Sequence, residues 1–433
     1  MKGNPLLLTY FIIFIMCSVY QDFFLVNMVG EIARSPIFLF LPIFIFTELY
    51  ELFIKKNENI TYIQKTFFLY IVGVSFIGAI YVLYLIFKGQ YYFLDENLFI
   101  KFIKGQLYLI IIWLYLRHSY LILNKLTKKQ IFFAMISVLS ILNIILVIEF
   151  FTLPNALEFL HSQNKPYYRM RLLTVESSWT GSIYVILCIL SWYYVSFSSR
   201  SKNFYMKFYI SLSFISYVML TQSKGFFVTL IISILVFSIS LIRNKKLSFK
   251  TVVFLIVLLF LFVTATIVFI QVFLPAFGND IENYTSMSTR LGVLIAALKV
   301  IALNPFGVGT GAYIVFLAKG IIDIVPFLKE LFIFLFNSTP NLSELFRITS
   351  STVGLSVKSG IFQWLLEGGV LAIILFVCWS KYIFSITKKS NVLKFSIIFI
   401  TIASLTYIPI NIKYEIWLLI SCIEINKKQL LES

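Results

Sequence analysis

The stretch "YRMRLLTVESSW", residues 168–179, places Arg169, Arg171 and Glu176 within eight positions, just before an apolar run long enough to cross a membrane. A guanidinium can grip a diphosphate through its planar fork of N–H donors, and a carboxylate beside it can take a proton from a sugar hydroxyl. The same residue types also make a plain ion pair, because a carboxylate at that depth is costly unless it is partnered or solvated. The two arginines point the same way if the segment is extended and diverge if it is helical.

Two further cations lie in suggestive surroundings. Lys224 sits in "TQSKGFF", a turn so short that the flanking apolar runs must form a tight hairpin; Ser223 and Gly225 would let the backbone approach an anion there. The alternative for a lysine at such a tip is to reach outward to the lipid headgroups. Arg290 falls in the first turn of a predicted helix, where a cation opposes the helix dipole and suits a site awaiting an anion. Glu367, in "WLLEGGV", reads as a structural hydrogen-bonding residue beside glycines that permit close packing. The only histidines, His118 and His161, have no metal-spaced partner. Cys17, Cys188, Cys378 and Cys422 all lie in or near apolar runs, so neither a disulfide nor a metal site is expected.

The elements that must position these residues are membrane helices. The 433 residues are 60% hydrophobic and 13% charged, with a mean hydropathy of +0.93, outside the range of soluble domains. Apolar runs recur at the length a helix needs to cross a bilayer, and only a form that satisfies its own backbone groups can do so. The chain therefore reads as an all-α polytopic membrane protein with about twelve spans: 6–20, 35–54, 67–87, 105–123, 131–151, 177–198, 207–220, 225–242, 251–274, 359–380, 392–409 and 414–426. Residues 1–274 carry spans one to nine with an outer loop at 152–176, residues 275–358 form a large outer loop, and residues 359–433 carry the last three spans. In the long loop, "SMSTRLGVLIAALKVIALNPFGVGTGAY" predicts a capped helix with Leu291, Leu294, Ile295, Leu298 and Ile301 on one greasy face. "VPFLKELFIFLFN" reads as a second interfacial helix or a segment buried in the bundle.

The net charge of +17 does not point to nucleic acid. Sorted by side of the membrane, 21 of the 36 basic residues face five acids on one side, and the other side is almost neutral. That asymmetry puts both termini in the cytoplasm. No internal repeat relates the two halves, whereas a transporter built from repeats would favour one.

These residues also carry a family likeness. "TRLGVLIAALKVIALNPFGVGTGAY" resembles the "SRLGxWxxALxxIxxNPLFGxGTG" signature of the bacterial O-antigen polymerase and ligase superfamily, the Wzy and WaaL types. "RMRLLTVESSWTGSIYVIL" resembles the polymerase stretch "RxxGxFxEPSxxAxYL", with Arg171 or Arg169 on the arginine and Glu176 on the acid. "TQSKG" is similar to the family's "TxSRG", with Lys224 in place of arginine, which keeps the charge but loses the bidentate fork. "KSGIFQWLLEGGV" resembles "HNxYLQLLxExGxxG", matching at Gln363, Leu365, Glu367 and Gly369. The ligase histidine falls on Lys358, a departure that favours polymerase over ligase.

The resemblance implies a metal-independent glycosyltransferase with no cofactor, working at the periplasmic face of the bacterial inner membrane in lipopolysaccharide or other polysaccharide biosynthesis. It would transfer a growing glycan from undecaprenyl diphosphate to the non-reducing end of a lipid-linked repeat unit. Its implied partners are undecaprenyl-diphosphate-linked oligosaccharides, membrane lipid, a chain-length regulator and a flippase. Arg290, Arg171 and Glu176 are the expected catalytic residues, with Arg169, Lys224, Lys358 and Glu367 binding substrate. The competing readings are an O-antigen ligase and a flippase for lipid-linked oligosaccharide; a carrier should place charge at its span centres, and these are nearly free of it.

Overall fold

The computed structural model describes residues 4–55, 60–155, 157–163, 166–197, 203–242, 286–352, 354–388 and 390–431. In chain order the main helices are α1 (Pro5–Val19), α2 (Pro36–Ile54), α3 (Tyr62–Phe87), α4 (Leu98–Leu123), α5 (Lys128–Thr152), α6 (Ser177–Val195), α7 (Asn203–Leu220) and α8 (Lys224–Ile242). They continue with α9 (Ser286–Leu303), α10 (Gly309–Phe336), α11 (Ser343–Ser350), α12 (Gly360–Gly368), α13 (Val370–Thr387), α14 (Asn391–Thr406) and α15 (Tyr414–Leu431). Tyr92–Phe93 and Glu96–Asn97 pair as one short hairpin.

Eight of these helices, α2, α3, α4, α5, α6, α8, α10 and α13, are long and apolar enough to cross a membrane, and α1 and α14 are shorter apolar helices. The protein is an all-α polytopic membrane protein. Six of the eight coincide with expected spans, and α13 shares only the second half of the one expected at 359–380. The eighth, α10, lies inside the stretch read as outer loop, and "VPFLKELFIFLFN" is its second half. The sequence hides it because Lys319, Asp323, Lys329 and Glu330 interrupt the apolar run; folded, these four are exposed, while Ile314, Leu317, Ile321, Leu328 and Phe332 are buried. The expected span at 251–274 and the start of the long loop, 275–285, lie outside the described residues. The expected span at 359–380 is broken at Gly369, so that α12 ends before it and α13 starts after it.

The chain forms two compact units. The first is drawn from residues 1–71, 106–233 and 374–433. Its hub is α6, buried along almost its whole length against α5, α7, α14 and α15. Gly181 lets α8 come close as well: a Cβ there would stand 2.3 Å from the Phe226 ring. Several polar groups inside the bundle pair with one another, as a medium without water favours. Tyr184 donates to Asn143 Oδ1 at 3.2 Å, and Asn143 donates to Ser213 and Tyr209 at 2.7 and 2.9 Å. Arg117 is buried and pairs with Glu48 at 3.0 Å.

The second unit is drawn from residues 72–105 and 234–373. Here α9 packs on α10, α11 and α12. The packed face of α9 is Val293, Ala296, Ala297 and Val300, rather than the larger residues expected. Leu298 is 45% exposed, and Leu291, Ile295 and Ile301 only flank the core. Small side chains win this face because they bring α10 close: Gly320 of α10 lies where a Cβ would meet Val300 at 3.0 Å.

Candidate functional site

The loop before α6 is held by groups from several segments of the first unit. Glu149, at the end of α5, accepts from the backbone N–H of Arg171 at 3.0 Å and of Leu172 at 2.7 Å. The Arg171 carbonyl accepts from Thr174 N–H at 2.9 Å and from the Thr180 hydroxyl at 2.7 Å. Leu172 takes a left-handed backbone, φ +47°, which turns the chain between these anchors. Gln21, just after α1, bridges to Thr174 and donates its N–H to the Leu173 carbonyl at 2.8 Å.

Within this frame the two arginines separate. Arg171 is 6% exposed, with its guanidinium 5.0 Å from the centre of the Tyr167 ring, while Arg169 is exposed. The same Tyr167 hydroxyl accepts from Ser177 N–H at 3.2 Å and so satisfies one of the open donors at the head of α6. Glu176 occupies the cap position of that helix, half-buried; its carboxylate accepts from the Ser178 hydroxyl at 3.3 Å and faces the positive helix end. Its charge is also felt by Lys413.

The turn carrying Lys224 belongs to the same unit and is tied to the same place. Three residues join α7 to α8; the Thr221 hydroxyl donates to Tyr217 Oη at 2.8 Å, and Tyr217 donates to the Ser177 carbonyl at 2.7 Å. Lys224 is exposed at the first position of α8. The structure therefore brings Arg171, Glu176 and the Lys224 turn to the head of α6.

Sequence reading passed over the residues beneath them. Asp22 takes His161 Nδ1 at 2.8 Å and the Ser162 hydroxyl at 2.5 Å, with Arg34 at 3.8 Å. Burial opposes its charge, but these hydrogen bonds and the neighbouring cations outweigh it and hold the carboxyl below the usual carboxylate range. Lys413 and Glu415, at the start of α15, are fully buried and linked through Gln21. Burial pushes the Lys413 amine down to about 7. The available signal was the placement of Asp22, Glu149, Lys413 and Glu415 at the ends of apolar runs, where an ionisable group needs a partner.

Arg290, Lys358 and Glu367 lie in the second unit. Arg290 is exposed in the first turns of α9, beside Thr289, whose hydroxyl donates to Glu344 at 3.1 Å. Lys358 is half-buried and donates to the Gly354 carbonyl at 3.5 Å. Glu367 is buried in α12; it accepts from Gln363 Nε2 at 2.6 Å, Gln363 in turn accepts from Val357 N–H, and the other carboxylate oxygen of Glu367 has no hydrogen-bond partner among the described residues. Burial pushes its carboxyl up to about 7.

The two glycine-rich motifs of this unit meet each other. Val308 N–H donates to the Leu366 carbonyl at 3.0 Å and Val370 N–H to the Pro305 carbonyl at 2.9 Å, so "NPFG" clasps "LLEGGV". Gly307 and Gly369 both take positive φ, +84° and +49°, and a Cβ on either would meet the opposing backbone within 2.4 Å. These positions need glycine for backbone approach, and their place in the motif is structural.

Fold and site define a multi-pass membrane protein with a buried ionic cluster beneath the loop before α6. Residues 208–377 match the family model Wzy_C, described as O-Antigen ligase. A Klebsiella pneumoniae protein, "Uncharacterized 49.5 kDa protein in cps region", is 34% identical over 125 residues, a stretch that spans 28% of each chain. No solved structure matches. The chain fits the O-antigen polymerase and ligase superfamily, whose members are glycan-transferring membrane enzymes. The family match takes in Lys224, Arg290, the glycine clasp, Lys358 and Glu367, and leaves Arg171 and Glu176 outside it.

Proposed function

We propose that this chain is a polysaccharide polymerase. It transfers a growing glycan from undecaprenyl diphosphate to the non-reducing end of a lipid-linked repeat unit, at the periplasmic face of the bacterial inner membrane. The observation that carries the reading is the loop before α6, which holds Arg171, Glu176 and the Lys224 turn at one helix head. Cations there stabilise the charge developing on the departing diphosphate, and Glu176 takes the acceptor's proton; the family resemblance assigns Arg290, in the second unit, to the reaction as well. A relative named from a cps region suits a role in a polysaccharide locus.

In a strain lacking this protein, complementation should restore a ladder of long glycan. Arg290→Ala or Arg171→Ala should leave single repeats only, with protein in the membrane at normal level. Normal ladders from both variants would remove the arginines from the mechanism. The ligase reading rests on the family model, described as O-Antigen ligase; under it, the knockout would keep long lipid-linked polymer and fail to attach it to lipid A core.

A further inference from the structure

Gln21 is held at once by the loop before α6 and by the start of the last helix. Its backbone runs beside the loop: its N–H donates to the Leu173 carbonyl at 2.8 Å, and it bridges to Thr174. The Thr174 hydroxyl lies within hydrogen-bond distance of the Arg171 carbonyl at 3.0 Å, the Glu176 carbonyl at 2.7 Å and the Thr180 hydroxyl at 2.8 Å. Where Thr174 sits therefore sets where the backbone of Arg171 and of Glu176 sits.

The side chain of Gln21 is engaged by the start of α15. Its amide oxygen accepts from the Lys413 amine, and its amide nitrogen donates to Glu415 Oε2 at 2.5 Å. Both partners are also held to α6, because Lys413 Nζ lies 3.9 Å from the centre of the Trp179 ring and the Ser182 hydroxyl donates to Glu415 Oε1 at 3.0 Å. Gln21, Lys413, Glu415 and Ser182 have no exposed surface. An amide can accept from an amine and donate to a carboxylate at the same time, and in so dry a place the loss of either contact strands an ionisable group.

We propose that Gln21 is a positioning residue: its amide, clamped between Lys413 and Glu415, holds its backbone against Leu173 and Thr174 and so sets where Arg171 and Glu176 stand. That Arg171 and Glu176 take part in glycan transfer rests on the polymerase reading; the clamp on the loop does not. Every link from α15 to Arg171 is a hydrogen bond between neighbouring groups.

The test uses the full-length protein in lipid nanodiscs, with each rate divided by the amount of folded protein. Gln21→Glu keeps the shape of the side chain but sets a second carboxylate against Glu415. The exchanged variant Gln21→Glu/Glu415→Gln puts the carboxylate next to the amine and the amide beyond it, with total charge and every hydrogen bond kept. Hydrogen exchange at the amide of position 21 and across residues 173–176 should quicken by about tenfold or more in Gln21→Glu, stay slow in α6, and return to the unaltered rate in the exchanged variant.

Polymer formation is then fed with lipid-linked repeat units extracted from the strain lacking this protein. Gln21→Glu should lower kcat by about 100-fold with KM for the repeat unit nearly unchanged, since a displacement of about 1 Å at a reacting group has an effect of that size. The exchanged variant should recover most of that loss. Gln21→Asn, one methylene too short to reach both partners, should show the same loss to a smaller degree, and it carries the comparison if Gln21→Glu does not fold. Unchanged exchange at 173–176, a normal kcat per folded molecule, or no recovery in the exchanged variant overturns the proposal. Exchange as expected in all variants, with no polymer from the unaltered protein, would instead count against the polymerase reading and leave the clamp on the loop standing.

Discussion

Glu367 shows how a residue in a family-like motif can serve the fold. Its carboxyl is buried in α12, hydrogen-bonded on one oxygen only, and pushed up to about 7 by burial. A carboxyl with a raised folded-state value binds more protons folded than unfolded between its ordinary value of 4.5 and about 7, so its contribution to stability falls as pH rises through that window. Glu367→Gln keeps the shape and removes the charge. Its melting temperature in detergent should therefore match the unaltered protein at the acid end and exceed it above neutral pH. Equal melting at both ends would mean that the site hydrates when it ionises. Among the proposed site residues, Arg171 is the one whose burial and backbone anchoring the structure accounts for most fully; Arg169, two positions away, is exposed where the chain bends.

At the scale of elements, the second unit depends on a loop gripping a helix break. Gly369 ends α12 with a left-handed backbone, and a Cβ there would lie 2.1 Å from the Pro305 carbonyl oxygen. Gly369→Ala carries the backbone penalty of about 1–2 kcal/mol and, in addition, a clash that neither rigid strand of the clasp can relieve. The variant should lose Val370–Pro305 amide protection in hydrogen exchange and melt well below the unaltered protein. Retained protection at that amide would show that the loop can shift. The motif's order, "NPFGVGTG" then "LLEGGV", was legible in the sequence; that the two touch was not, because 57 intervening residues separate Gly309 from Glu367 and local periodicity says nothing about such a pairing. The packed face of α9 was misjudged for a related reason. Size and hydropathy favoured the leucines, while close helix contact selected alanine and valine.

At the scale of the whole chain, charge asymmetry and hydropathy speak to orientation. The orientation proposed from the charge asymmetry, with both termini in the cytoplasm, would put the loop before α6 outside and the α4–α5 turn inside. Tyr168→Cys, at an exposed loop position, should react in intact spheroplasts with a thiol reagent that cannot cross membranes. Lys125→Cys, exposed in the α4–α5 turn, should react only after the membrane is opened. Labelling in the opposite order would invert the orientation and move the proposed chemistry to the other side.

The class of protein was determined by sequence alone, since a chain this apolar can satisfy its backbone in lipid only as helices, and the lengths of its runs set most of their positions. The loop before α6, with its arginines and carboxylate, was equally plain, because charge beside a span is rare and stands out. Tertiary structure decided which of those charges meet. Asp22, Glu149, Lys413 and Glu415 come from segments up to 393 residues apart, and only folding brings them beneath the loop. It also decided that α10 is one long helix, since its charged residues look like interruptions in sequence and prove to be one exposed face in three dimensions.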